Sequence, residues 1–246
     1  MRIFETITSC LLCIFLCTPG TLIILESRSE AILEQSKKQL PGDQGEVSDY
    51  LRFHINYLYR SQGKGEFKTL TDDSVLRSGD YYKIIFTPTT DAYVYIFQID
   101  SANKIFQLFP MENYEGIRVN NFNPVQADNT YYIPAEGKSF FLDEQTGTEK
   151  IYFLASRQRD PELEELYRQT FARQQQPTSG LDEQLQQIDR LLAHAMKIQG
   201  RAIVKSVDKE SEKMIWKEQG ETFSVLQQHL ENMCDGCVYT LTFEHR

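Results

Sequence analysis

The chain has 246 residues, 41% of them hydrophobic, enough apolar material for one good core and a small second one, which excludes disorder throughout. Asp and Glu outnumber Lys and Arg by 35 to 26, giving a formal net charge of -9. That balance repels a phosphate backbone and no basic run offsets it, so nucleic acid is not an expected partner.

Arg2 is followed by an uncharged, mostly apolar run over residues 7–25. A short positive start before such a run reads as a signal peptide or an N-terminal membrane anchor over residues 1–25, interrupted by Pro19-Gly20. Thr18 and Gly20 suit the small-residue positions of a cleavage site, whereas the apolar residues 22–25 would make an awkward mature start. Cleavage and anchoring both stay open, and so does a buried helix of a cytosolic protein. Ile7-Thr8-Ser9-Cys10 has the small residues of a lipid-anchored cysteine, yet sits too near Met1 to leave room for an apolar region. Residues 26–48 are polar and read as a tether.

From residue 50 to 156 short β-type runs alternate with turn residues. The pattern predicts strands over 50–59, 66–70, 80–87, 92–99, 104–109, 130–133 and 150–155. The short Asp100-Ser-Ala-Asn103 connection makes 92–99 and 104–109 a hairpin. In 92–99, Val94 and Ile96 share one face and Tyr93, Tyr95, Phe97 and Ile99 the other. A strand apolar on both faces belongs in the middle of a sheet, one face against an opposing sheet and the other under the C-terminal helices.

After Ser156 the period becomes helical. Asp160 is placed as an N-cap with Pro161 at the first helical position, and Leu163, Leu166, Tyr167 and Phe171 form a stripe. Residues 174–180 read as a linker, and a second helix carries Leu181, Leu185, Ile188, Leu192 and Ala195 to a stop at Gly200, so the two helices should pack as a hairpin. A small α/β tail is expected beyond: a strand over 202–207, an extended piece at 214–216, a helix carrying Phe223, Leu226, Leu230 and Met233, and a strand over 238–243. The fold class is therefore α+β: an antiparallel β-sandwich, immunoglobulin-like or similar, over residues 49–176 with its C-terminal helix, and a helical and α/β region over 177–246.

The ordered stretches Leu76-Arg-Ser-Gly-Asp80, Ala92-Tyr-Val-Tyr-Ile-Phe97 with Asp100-Ser101, Leu108-Phe-Pro110, Tyr131-Tyr-Ile-Pro134 and Gly147 to Ser156 resemble a bacterial family known as domain of unknown function 4384, over roughly residues 50–167. The resemblance implies an all-β module of exported or membrane-attached proteins with a binding or scaffolding part. It carries no catalytic residue across.

Among residues that could carry chemistry, Cys234-Asp-Gly-Cys237 has the sharpest spacing, since a two-residue gap lets both thiols reach each other or one metal ion. A structural disulfide is one reading, suited to an exported domain. A zinc site recruiting His229 and His245 is a second, and a redox pair a third, although a motif that follows a helix meets the wrong end of its dipole. The aspartates at 72, 73, 80, 91, 100 and 128 are scattered over separate turns, where their side chains bond the local backbone, rather than gathered for calcium. His54, His194, His229 and His245 sit in no recognisable base motif, and Gly63 and Gly65 open no phosphate loop. Tyr81, Tyr93, Tyr95, Phe97, Tyr131 and Tyr132 form an aromatic set that suits either strand packing or a partner surface.

These readings converge on an exported bacterial cell-envelope protein, periplasmic or membrane-attached through its N-terminal segment. It acts as a non-enzymatic interaction or scaffolding module holding an envelope protein partner, with no cofactor. The alternative is a thiol/disulfide or zinc-dependent activity centred on Cys234 and Cys237.

Overall fold

The two-residue alternation forms paired strands in the computed structural model, which describes residues 50–176, 180–197, 202–206, 213–218 and 220–246. The first sheet runs Phe140–Phe141 (β10), Tyr81–Pro88 (β4), Tyr50–Arg60 (β1), Gln228–Cys234 (β15) and Ile203–Ser206 (β12). Two short strands join it, Lys68–Thr69 (β2) on β1 and Tyr131–Ile133 (β9) on β4. The second sheet runs Val75–Leu76 (β3), Cys237–His245 (β16), Gly147–Ser156 (β11), Tyr93–Ile99 (β5) and Ile105–Phe109 (β6). Met111–Tyr114 (β7) pairs with Ile117–Asn121 (β8), and Lys213–Glu218 (β13) with Glu221–Leu226 (β14), as separate two-stranded ribbons.

The sheets close on an apolar layer: Ile55, Tyr57, Ile84 and Phe86 of the first meet Val94, Ile96, Ile151 and Phe153 of the second. As its alternation requires, β5 is interior and buried on both faces. Its Tyr95, Phe97 and Ile99 join Tyr152 and Leu154 under Leu163, Ile188, Leu191 and Ala195 of the two helices, Pro161–Gln174 (α1) and Leu181–Ala195 (α2). The outer face of the first sheet, with Leu58 and Ile85, is covered by Trp216, Phe223 and Val225 of the β13–β14 ribbon. Four layers result, with three apolar interfaces.

The helices are fixed by local chemistry. The Asp160 carboxylate accepts the Leu163 N–H at 2.9 Å, capping α1, and its other oxygen bonds His194 Nε2 near the end of α2 at 2.8 Å. From α1, Gln174 and the Tyr167 hydroxyl accept the outward N–H groups of Ile105 and Gln107 at 2.9 and 3.2 Å. That closes the free edge of β6 against another strand. Phe171, expected in the buried stripe, is exposed and stacks on Tyr167.

The C-terminal region departs from expectation. Expected to pack on or beside the sandwich from residue 177, it also completes both sheets, β15 covering the edge of β1 and β16 that of β11, so Ser48–Arg246 is one compact unit. The helix expected through Phe223, Leu226, Leu230 and Met233 is instead β14 and β15. For Leu230 and Met233 the helical spacing has a physical cause. Between Leu51↔Met233 and Phe53↔Leu230 the register shifts by one residue, with Asn232 at φ 57°. This bulge turns Leu230 and Met233, three apart, onto the same core face. Among the described residues no helix is long and apolar enough to cross a membrane; residues 1–49, the expected export or anchor segment and tether, lie outside them.

Candidate functional site

Polar side chains within otherwise apolar strands mark a cleft beside the edge strands β6 and β10. Gln98 of β5, Glu149 of β11 and His245 of β16 are all buried. The Tyr82 hydroxyl donates to Gln98 Oε1, and Gln98 Nε2 donates to Glu149 Oε2 at 2.8 Å. Glu149 Oε1 lies 3.8 Å from His245 Nδ1, whose other nitrogen shares a hydrogen bond with Ser78 Oγ at 3.1 Å. Tyr82, Gln98, Glu149 and His245 line a cavity of about 420 Å³ whose walls include Phe106, Tyr114, Phe140 and Phe141.

The turn above Glu149 is built by Asp100, whose Oδ1 accepts the N–H groups of Ala102 and Lys104 at 2.9 and 2.7 Å, with Asn103 at φ 58°. Gly147 lets this turn approach: at φ 137° a Cβ there would lie 2.5 Å from Ser101 Cβ. On the opposite wall, Phe140 stacks obliquely on Tyr82 and edge-on against Tyr114, at centroid distances of 5.1 and 5.5 Å. Tyr114 is held by its hydrogen bond to the Ser139 carbonyl at 3.0 Å.

Burial raises the Glu149 carboxyl above its ordinary range, while the Gln98 hydrogen bond draws it back part of the way. Burial likewise lifts the Tyr82 hydroxyl well above its usual value and pushes Tyr114 up to about 12, with the Glu115 charge adding to it.

The cysteine motif lies elsewhere. Asp235-Gly236 joins β15 in one sheet to β16 in the other, pinned by Gly236 N–H to the Ala155 carbonyl at 2.9 Å and Arg157 N–H to Asp235 at 2.7 Å. The Cys234 and Cys237 sulfurs are at bonding distance, their Cα atoms 5.1 Å apart, and Cys237 is fully buried. The motif joins two strands, not the helix and strand expected. The zinc set does not converge: Cys237 and His245 stand at opposite ends of β16, ~26 Å apart along an extended strand, and His229 packs its ring on His54 at 4.6 Å. Among the described residues no three His, Cys, Asp or Glu side chains are gathered to hold a metal ion.

The aromatic set does not form one surface. Tyr95 is buried under α1, its hydroxyl accepting Asp160 N–H and donating to Glu164 Oε1, both at 3.0 Å. Tyr93 and Phe97 pack in the same layer, Tyr131 stacks on Phe86, and Tyr132 packs beneath the β13–β14 ribbon. Tyr81 lies against Phe141 at the cleft's outer edge, with centroids 5.2 Å apart. These side chains are spread over different layers because successive strand residues point to opposite faces.

Residues 75–159 match the family model of a domain of unknown function, DUF4384. Among curated proteins and solved structures the chain has no match. The DUF4384 match starts at β3 and ends just before the α1 cap. It holds Tyr82, Gln98 and Glu149 but not His245, and β1, β15 and β16 also lie outside it. The DUF4384 segment therefore supplies most of the cleft, while the sheets that carry it are completed from both flanks.

Two expected results follow from this geometry. A raised carboxyl means the folded state binds a proton that the unfolded chain does not, so Glu149 lowers stability above its folded pKa and stops doing so as pH falls through that value. Glu149→Gln should melt higher than wild type near neutral pH, with the difference shrinking as pH falls through the raised folded pKa into the ordinary carboxylate range, as followed by circular dichroism. The Cys234–Cys237 bond closes only a short loop, so reducing it or replacing both residues by Ser should lower stability by about 2 kcal/mol in urea titrations.

Proposed function

We propose that this chain is a non-enzymatic interaction module of the bacterial cell envelope, which docks a partner protein at the cleft between β6 and β10. The observation that carries this reading is the pairing of a buried polar floor with an exposed aromatic rim: Phe141 is 56% and Phe106 39% exposed beside the cavity. Large apolar side chains kept in water around a concave site are what a partner's anchoring residue desolvates. The apolar N-terminal run and a cysteine pair at disulfide distance support a location outside the cytoplasm.

The test is site-specific crosslinking in cells, with a photoreactive benzophenone side chain replacing Phe141 and, as control, Ile215, which is exposed on the far ribbon. Docking at the cleft gives a discrete adduct from position 141, mapping to one segment of one envelope protein, and none from 215. Adducts of equal yield from both positions, or none from 141, would reject the reading.

A further inference from the structure

The occupant's chemistry can be taken further, on the assumption that the cleft is the docking site. Glu149 is 2% exposed, and among the described residues no Lys or Arg pairs with it. The same fold treats its other buried carboxylates differently: Asp80 accepts the N–H groups of Gln62 and Arg77 at 3.0 and 2.9 Å, and Lys83 Nζ lies 2.6 Å from Glu218 Oε2. A buried charge without a counter-charge is costly, and here the carboxylate is met by the Gln98 amide, the Ser101 N–H and a histidine nitrogen at 3.8 Å, with no cation.

That histidine is itself unsatisfied. His245 is 1% exposed, and its Nδ1 makes no hydrogen bond. Its Nε2 shares a hydrogen bond with Ser78 Oγ, and in the tautomer that protonates Nε2 the Nδ1 atom is an acceptor. The cavity thus presents a carboxylate without a counter-cation beside a histidine nitrogen without a hydrogen bond, and its ionisable lining adds Asp100 and Asp143 with no Lys or Arg. Its field favours a cation.

Compact and forked cations are told apart by the hydrogen bonds already made. Glu149 Oε2 is bonded to Gln98, so the carboxylate does not offer the open two-oxygen edge that a guanidinium takes. An ammonium needs single acceptors in different directions, and its methylenes need apolar walls, which Phe140 and Phe141 provide.

We propose that the cleft receives a lysine side chain of the partner protein, its ammonium pairing with Glu149 beside His245 and its stem lying against Phe140 and Phe141. The step is pure binding, with no bond made or broken.

The test uses full-length ¹⁵N-labelled protein and two probes that differ in the charged terminus, Nα-acetyl-lysine methylamide and Nα-acetyl-norleucine methylamide. The lysine probe should shift the amides of Gln98, Phe141 and Glu149 and bind at least tenfold tighter than the norleucine probe. In Glu149→Gln that preference should vanish, while in Phe141→Ala, a change at an exposed position, both probes should weaken. Equal binding of the two probes to wild type, no shifts at the cleft, or a lysine preference surviving in Glu149→Gln would each overturn the proposal. Equal binding alongside an intact position-141 adduct rejects the lysine assignment alone. A lysine preference without that adduct rejects the docking reading and supports the cation site.

Discussion

Replacing Lys83 by Met should destabilise the protein by about 3–5 kcal/mol, because it leaves Glu218 buried without its counter-charge. Lys83 is fully buried on the outer face of β4, between Phe67 and Tyr132, whose ring centroids lie 5.7 and 6.0 Å from its Nζ. Glu218 Oε2 receives the Lys83 ammonium at 2.6 Å and the Trp216 indole N–H at 3.4 Å. Burial pulls the lysine below its usual pKa, and Glu218 draws it part of the way back. The double variant Lys83→Met with Glu218→Leu should recover to within about 1 kcal/mol of wild type or exceed it, since both desolvation costs go with the charges. Urea denaturation of the two single variants and the double measures the coupling. A double variant as unstable as Lys83→Met alone would show that the ribbon is held there by shape and not by charge.

That pair also shows where the sequence stops being legible. The alternation Tyr82, Ile84, Phe86 against Tyr81, Lys83, Ile85 places Lys83 on the outer face of its strand, where a lysine is ordinarily solvated. Only the ribbon 135 residues further along the chain buries it. Strand 92–99 is readable because both of its faces are apolar within eight residues, which demands cover on two sides. The bulge at Asn232 was not, because a one-residue insertion in a β ladder reproduces the three-residue spacing of a helix. In the cleft, Gln98 carried a signal: it is the one amide in a strand otherwise of Tyr, Val, Ile and Phe. Glu149 carried none, since an acid at the head of a strand reads as solvated until Ser101, Gln98 and His245 close over it. The cysteine pair was visible by spacing alone, but its place at the passage between sheets required knowing that β15 and β16 belong to different ones.

Phe86→Ala should be the most damaging truncation in the core between the sheets, at about 3–5 kcal/mol. Phe86 is buried on β4, facing the second sheet. Its ring meets Phe109 and Phe153 edge-on, both at 5.5 Å, stacks on Tyr131 at 5.1 Å, and contacts Phe53 edge-on at 6.2 Å. Phe109 and Phe153 belong to the opposing sheet, Tyr131 to the short β9 and Phe53 to β1, so one side chain ties four strands to β4. Truncation leaves a cavity walled by rings on rigid paired strands, which cannot collapse to fill it, so the cavity penalty adds to the lost burial. Phe86→Leu keeps most of the volume and should cost about 1–2 kcal/mol, and Phe171→Ala, at an exposed position, less than about 0.5 kcal/mol. Urea midpoints measured on the three variants should fall in that order. If Phe86→Ala were no worse than Phe171→Ala, the two sheets would not share the core described here, and the cleft that depends on their closure would lose its floor.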